Sequence, residues 1–188
     1  GCLDETAVAG ACRDLYPPLL PLKTLPNMAL AHISIHLDIR GDNGTWCGGA
    51  AAGLMALRAA MMSVLECRSE AALVVAADSW VSEGCVRDLL RMSAGRPIEP
   101  PGEAGVALLI ESAASAQRRG APILGTLMID ADGAVALPPS HHSALGDCKA
   151  ADALLSLALR LGQGPGTQVY RAQEPGQPPV TVGLTLEK

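Results

Sequence analysis

Aromatic side chains are almost absent from this chain, which has no Phe, two Trp and two Tyr among its 188 residues. Its interior must therefore be built from Ala, Leu, Val, Ile and Met, whose modest size lets helices pack closely on a sheet. Charged residues are also few, at 18%, whereas hydrophobic residues make up 49%. This balance excludes a disordered chain, and the length fits one domain over residues 1–188.

The features of nucleic-acid and membrane proteins are missing as well. The net charge is −5, and the sequence contains no Lys/Arg-rich run of the kind that binds phosphates. No stretch approaches the ~20 uninterrupted apolar residues that span a membrane, and no signal peptide is visible. We therefore expect a cytoplasmic protein with no nucleic-acid partner and no membrane span.

Metal-ligand patterns are also lacking. The six cysteines, at positions 2, 12, 47, 67, 85 and 148, form no Cys-x-x-Cys pair and do not cluster as zinc ligands do. His32 and His36 have i,i+4 spacing, but no acidic residue lies between them, so we interpret them as core or interface residues. We expect no metal and no cofactor. The even cysteine count permits disulfides, yet the Ala-rich surroundings favour reduced, buried thiols.

Hydrophobic periodicity divides the chain into alternating helices and strands. Asp4 is placed to cap a first helix over residues 4–15, and residues 27–38 fit either a helix or a strand. Further helices are predicted at 51–67, 82–93 and 147–161, and strands at 71–77, 104–111, 122–129, 167–170 and 180–186. A short helix that ends at Gly120 is predicted between the strands at 104–111 and 122–129. This alternation predicts a layered α/β fold.

Two of these elements are apolar along most of their length. The helix over 51–67 has only Arg58 and Glu66 as charges, so it should be buried nearly all round. The strand over 71–77 is a continuous apolar run, a pattern typical of a central strand that is covered on both faces.

The segment ahead of the apolar helix has a distinctive order, Asn43-Gly-Thr-Trp-Cys-Gly-Gly-Ala-Ala-Ala-Gly53. It resembles the nucleophile elbow T-A-C-A-S-G of the β-ketoacyl synthases, with Ala50 in place of the catalytic cysteine. In that elbow a short strand, here residues 44–48, turns sharply into a helix whose N-terminus holds the thiolate. A methyl group cannot be acylated, so Ala50 removes the covalent step.

The resemblance extends along most of the chain. Residues 25–35 resemble the N-M-A-A-x-H-I-S-I segment of ketosynthases, and residues 38–45 resemble the following L-x-G-P-x-x-T. Residues 102–111 resemble G-E-G-A-x-x-L-V-L-E, and residues 116–121 resemble A-x-A-R-G-A. The resemblance implies a thiolase-like layered α/β fold, shortened relative to full ketosynthases and lacking an N-terminal strand. It also favours a helix at 27–38.

Residues 142–154 admit two alignments with the family's second half, which supplies two histidines to the working enzymes. One resembles H-G-T-G-T-x-L-G-D-P and retains His142 as a vestigial histidine two residues too close to Leu145-Gly-Asp147. The other resembles N-I-G-H-T-x-A-A-A-G and puts Asp147 where the histidine stands. Both alignments remain open, and either leaves condensation without most of its catalytic groups.

The resemblance includes chain-length factors, which lack the cysteine and pair with an active ketosynthase. It implies a catalytically inactive, chain-length-factor-like subunit of polyketide, aryl-polyene or fatty-acid-type biosynthesis, with an active ketosynthase as partner. An acyl carrier protein and a second copy in a homodimer are further candidate partners. The elbow would border the subunit interface, through Thr45, Trp46, Cys47, Gly48, Gly49 and Gly53.

Several residues have two interpretations. Cys47 or His142 could support residual acyl transfer or thioester hydrolysis, although Cys47 on a strand would point into sheet packing and His142 beside prolines would face solvent. Trp46 fits a core or interface anchor, and Lys149 and Asp152 fit surface helix charges. A third function is a stand-alone protein that binds acyl chains or acyl carrier proteins.

Overall fold

The computed structural model describes residues 4–15, 19, 25–131, 145–173, 176 and 178–186. The chain divides into two units, Gly1–Thr45 and Trp46–Lys188, and the prediction of a single domain over 1–188 stays a prediction. His141 and His142 lie outside the described residues, as do most of the proline-rich connector and most of the 131–140 loop.

The first unit contains helices α1 (Glu5–Leu15) and α2 (Met28–His36). The Asp4 carboxylate accepts backbone hydrogen bonds from Thr6 at 3.0 Å and Ala7 at 3.1 Å, which confirms the predicted N-cap. Helix α2 confirms the helical alternative for residues 27–38. None of its residues is buried, so the interpretation of His32 and His36 as core residues is wrong, and their interface role stays a prediction.

The second unit is built around helix α3 (Ala52–Leu65), the predicted apolar helix. Only Arg58 and Leu65 of its residues are exposed, which confirms that it is buried on most sides. Its core side chains, Leu54, Leu57 and Met61, belong to one apolar cluster with residues of helix α6 (Asp152–Leu161). Burial of this face against other elements, rather than helix propensity, is what stabilises such a helix.

Two antiparallel sheets flank these helices. Strand β1 (Ala71–Ser79) pairs with β2 (Glu103–Glu111), and Val75 lies opposite Ala107. The second sheet has the order β3 (Thr126–Ile129), β5 (Val180–Leu186), β4 (Gly166–Ala172). Helix α3 contacts β1 and β5, and α6 contacts β2 and β4, so helices and sheets pack in layers around one core.

The prediction that β1 is covered on both faces is wrong. Val74 and Ala76 are buried, but Val75 and Ala77 on the opposite face are exposed. In the part of the chain that the structure describes, β1 is hydrogen-bonded to β2 alone, so its other edge has no strand partner. Outward-facing residues of β1 such as Val75 and Ala77 are themselves apolar. A strand that is buried on one face can therefore show the same continuous apolar run as a strand that is buried on both.

The remaining predicted elements are present with shifted boundaries. Helix α4 (Glu83–Ser93) begins after Ser82, whose hydroxyl accepts a hydrogen bond from the backbone of Cys85 at 3.3 Å. A short helix α5 (Ala113–Arg118) follows β2. The helix predicted from residue 147 begins as a 3₁₀ turn, Lys149–Ala151, because the positive φ of Lys149 (47°) interrupts regular helix before it.

The strand predicted at 44–48 is wrong. Residues 42–47 have no regular secondary structure, and residues 48–51 form a bend and a turn. Gly44 and Gly48 have low strand propensity, and a strand also requires a neighbour to accept its backbone hydrogen bonds. No described strand is paired with this segment.

Candidate functional site at the start of helix α3

The turn at residues 48–51 leads into helix α3 and determines which alanines face solvent. The Gly49 carbonyl accepts a hydrogen bond from the Ala52 backbone at 3.2 Å, and the Ala51 carbonyl accepts one from Met55 at 2.9 Å. Ala51 and Ala52 are buried, whereas Ala50 is exposed just ahead of the helix. The position that resembles the nucleophile therefore presents a methyl group to solvent.

A second segment, residues 145–151, lies against this helix start. A side-chain carbon added to Gly53 would lie 2.6 Å from the Ala150 carbonyl oxygen and 3.0 Å from Leu154 Cδ1. The same segment is held on its other side, because Asp147 donates its backbone N–H to Pro100 at 2.8 Å and accepts one from Gly102 at 2.9 Å. The structure thus brings the loop containing Asp147 to the elbow helix, and the choice between the two alignments of the tail stays open.

Carboxylate side chains accept hydrogen bonds from the backbone N–H groups of this loop. Asp147 accepts the Lys149 N–H at 2.9 Å and forms an ion pair with the Lys149 ammonium. Asp152 accepts the Cys148 N–H at 2.9 Å, and Asp78 of β1 accepts the Ala150 N–H at 3.3 Å. An oxyanion hole needs backbone donors that are free to bind a developing negative charge. The donors at 148–150 are already bonded to the protein's own carboxylates, so this loop does not offer one.

The protonation of the site follows from the same contacts. Burial raises the pKa of Asp147, but the hydrogen bonds from the side chain and backbone of Lys149 outweigh it, so the pKa is lowered overall. Burial raises the pKa of the Cys148 thiol, and the charges of Asp152, Asp147 and Asp78 raise it further. A reactive cysteine needs the opposite environment, because cations and helix N-termini stabilise the thiolate. Cys148 is therefore a protonated, structural thiol.

The elbow residues named from the sequence lie mostly on the surface. Thr45, Cys47 and Gly48 are exposed, Gly49 is half-buried and Gly53 is buried. Trp46 is 38% exposed, so its interpretation as a core anchor is wrong, and its interface role stays a prediction.

The placement of Cys47 also differs from the prediction. The prediction that Cys47 points into sheet packing is wrong, because the strand that would bury it does not form and its thiol is exposed. The prediction that the cysteines are buried is wrong for Cys12 and Cys67, whose free thiols are exposed. It is confirmed for Cys148, which is buried.

The sequence interpretation missed the carboxylates that organise the loop. Asp152, taken as a surface charge, is 7% exposed, and Lys149, taken the same way, is half-buried in its ion pair with Asp147. A signal for Asp152 exists in the sequence, since an Asp at the start of a helix commonly accepts nearby backbone N–H groups. Asp78 gives a weaker signal, as the first charge after the apolar run of β1.

A shallow depression of about 480 Å³ lies beside this region, at the end of β1 and the beginning of β2. Its lining includes Asp78, Ser79 and Glu103, and the Ser79 hydroxyl donates a hydrogen bond to the Glu103 carboxylate. The described ranges contain no cluster of three His, Cys, Asp or Glu side chains that could hold a metal ion. They also contain no helix with the length and apolarity needed to cross a membrane.

Comparison with known families identifies the class of protein. Residues 4–112 match the family model described as the N-terminal domain of β-ketoacyl synthase. This match covers more than half of the chain, so the chain belongs to the β-ketoacyl synthase N-terminal domain family. A search of curated proteins finds no significant match.

Two solved structures confirm the fold. One is AntDE:AntF, a type II PKS acyl-carrier protein in complex with its ketosynthase, with a TM-score of 0.68 at 14% identity over 95% of this chain. The other is the ishigamide ketosynthase/chain length factor, with a TM-score of 0.60 at 18% identity over 85% of this chain. This chain spans 68% and 61% of the length of the two matched chains. The fold is the thiolase-like layered α/β fold in a shortened form.

Proposed function

We propose that this chain is a catalytically inactive, chain-length-factor-like subunit that pairs with an active β-ketoacyl synthase. The observation that carries the proposal is Ala50, which occupies the nucleophile position of the elbow with a side chain that cannot form a thioester. The contribution left to such a subunit is shape, through packing on the partner and lining of its acyl tunnel. The pathways implied are polyketide, aryl-polyene or fatty-acid-type biosynthesis.

The chemistry around the elbow supports an inactive role. Ketosynthase chemistry needs a thiolate and donors for a developing oxyanion. Here the nearby loop has a carboxylate at Asp147, and its backbone donors at 148–150 are bonded to carboxylates. Negative charge at this place opposes both a thiolate and an oxyanion. The loss of the cysteine is therefore accompanied by an environment that would not activate one.

The two similar structures support pairing. One is of a ketosynthase together with a chain length factor, and the other is of a ketosynthase in complex with its acyl-carrier protein. The exposed elbow residues are the proposed contact surface, centred on Trp46. A partly exposed tryptophan is the type of residue that contributes most to protein interfaces.

Pairing can be tested by titrating the chain against the ketosynthases encoded beside it. We expect a stable complex, and we expect Trp46→Ala to weaken it by roughly 30-fold, the effect of removing an interface residue worth about 2 kcal/mol. Leu65→Ala is the matched control, because Leu65 is exposed at the other end of helix α3 and should leave affinity unchanged. A chain that stays monomeric with every such ketosynthase would contradict the proposal.

A second candidate is acyl transfer or thioester hydrolysis at Cys47, and the exposure of its thiol is the observation in its favour. In that reaction the Cys47 thiolate attacks the thioester carbonyl, the carrier thiol leaves with a proton, and water later releases the acid. Cys67 is an exposed thiol elsewhere on the surface and serves as the control.

Under our proposal an acyl-thioester probe labels Cys47 and Cys67 at similar rates, because both are exposed free thiols. The measurement is site-resolved mass spectrometry over time. Labelling of Cys47 more than about tenfold faster than Cys67, together with turnover that Cys47→Ser abolishes, would instead establish the second candidate.

A further inference from the structure

Lys149 has a backbone conformation that lysine rarely adopts. Its φ of 47° lies in the left-handed region, where a side chain crowds the following carbonyl oxygen and which glycine adopts most readily. Gly146, in the same loop, has a φ of 76° and is the usual kind of residue for such a turn. A residue with a side chain persists in this conformation only where its surroundings hold it there. The contacts of Lys149 therefore have to offset the strain.

The contacts of Lys149 are made with one carboxylate. The Lys149 ammonium forms an ion pair with Asp147, and the Lys149 backbone N–H donates to the other oxygen of the same carboxylate at 2.9 Å. The Lys149 side chain is 33% exposed and that of Asp147 is 15% exposed, so solvent screens this pair less than it screens a surface pair. The Asp147 backbone is itself held by hydrogen bonds to Pro100 and Gly102. Lys149 is therefore tied to an anchored residue.

Three carboxylates converge on this loop. Asp147, Asp152 and Asp78 accept the backbone N–H groups of residues 149, 148 and 150, and Asp152 also lies within hydrogen-bonding reach of the Asp147 carboxyl. All three negative charges act on the Cys148 thiol. Like charges this close together in a partly buried place repel one another, and a cation or a bound proton is needed to offset the repulsion. The Lys149 ammonium supplies that positive charge at Asp147.

The loop of residues 145–151 covers the start of helix α3. Its Ala150 carbonyl oxygen lies where a side chain at Gly53 would meet it at 2.6 Å, and Cys148 and Ala151 are 0% exposed. Movement of the loop away from the helix would uncover Gly53. It would also release the backbone N–H groups at 148–150 from their carboxylates.

We propose that Lys149 is a positioning residue whose charge locks residues 145–151 against the start of helix α3, and that the loop opens locally when this charge is lost. The lock keeps the backbone donors of the loop bonded to carboxylates, so it maintains the arrangement that offers no oxyanion hole. This inference goes beyond the proposed function. It does not depend on pairing with a ketosynthase, because all of these residues belong to one unit of this chain.

The test is hydrogen exchange of the purified chain, followed by mass spectrometry of peptides that cover residues 145–151 and the start of helix α3. We expect Lys149→Met to speed exchange in both peptides by at least about tenfold, because the backbone strain remains while the charge is lost. Lys149→Arg keeps the charge and should exchange within about twofold of the unmodified chain. Peptides from β4 and β5 should be unchanged in both variants, since the opening is local.

A second substitution separates the charge of Lys149 from the packing of its side chain. Asp147→Asn removes one negative charge and keeps an oxygen that accepts the N–H of residue 149. Added to Lys149→Met, it should slow the exchange again by at least about threefold, because it relieves the repulsion that the ammonium no longer offsets.

Three results would overturn the charge lock. The first is unchanged exchange in Lys149→Met. The second is faster exchange in that variant that Asp147→Asn does not slow, which would assign the effect to lost packing of the lysine side chain. The third is an equal acceleration in β4 and β5, which would show that the whole unit opens rather than the loop.

Discussion

Replacing Leu57 by Ala is expected to lower the free energy of unfolding by about 3 to 4 kcal/mol, the usual cost of a cavity at a fully buried leucine. Leu57 is 0% exposed on helix α3 and belongs to the core cluster that includes Leu154 and Leu184. Leu154 and Leu184 come from two other elements, α6 and β5, that also pack on other parts of the fold. They cannot all move inward to fill the space, so most of the cavity should remain.

The control for Leu57→Ala lies on the same helix. Leu65 is 68% exposed, so Leu65→Ala should change the free energy of unfolding by no more than about 0.5 kcal/mol. Both values can be measured by urea denaturation followed by far-UV circular dichroism. A cost below about 1 kcal/mol for Leu57→Ala would mean that α3 is not the central element of this core.

Replacing Gly53 by Ala is expected to destabilise the fold by roughly 2 kcal/mol, even though alanine is the better helix former. The added carbon would lie 2.6 Å from the Ala150 carbonyl oxygen, which is backbone and is held in place by the hydrogen bonds of its loop. The overpacking cost of up to about 3 kcal/mol outweighs a helix-propensity gain of less than about 1 kcal/mol. The loop and the helix start would have to separate.

The same substitution on helix α4 should have the opposite sign. A side-chain carbon at Gly84 meets no atom within 4 Å, so Gly84→Ala should stabilise the chain by about 0.5 kcal/mol through helix propensity. Thermal unfolding of the two variants under identical conditions compares them directly. If Gly53→Ala stabilised the chain instead, this result would show that the loop of residues 145–151 does not lie against the start of helix α3.

Elements whose burial is dictated by their own pattern could be predicted from the sequence. Helix α3 and strands β2 and β5 have patterns that fix their type, and the family motifs added the correct helix at 28–36. Two features could not be predicted correctly from the sequence, the irregular conformation of residues 44–48 and the exposure of the outer face of β1. Both depend on which other segments pair or pack there, and local sequence does not contain that information.

The candidate site also combines features that follow from local sequence with contacts that do not. The position of Ala50 at the start of a helix follows from a contiguous motif, and the structure places it there. The approach of Ala150 to Gly53, and of Asp78 to the same loop, joins residues far apart in sequence. Such contacts arise only from the folded topology. The burial of Asp152 was missed for a different reason, because charged residues are usually exposed and its hydrogen bond to the Cys148 backbone is the exception.

Strand β1 is nine residues long, has Asp78 as its one charge and lacks a strand partner along one edge in the described ranges. Natural proteins usually shield such edges with lysine, proline or a bulge, because exposed amides and carbonyls recruit strands from other molecules. The nine residues of β1 include no lysine and no proline, so the strand itself does not shield this edge, and pairing between isolated copies is expected there. Co-expression with a binding partner should therefore reduce aggregation, because aggregation through this edge increases with the concentration of the free chain.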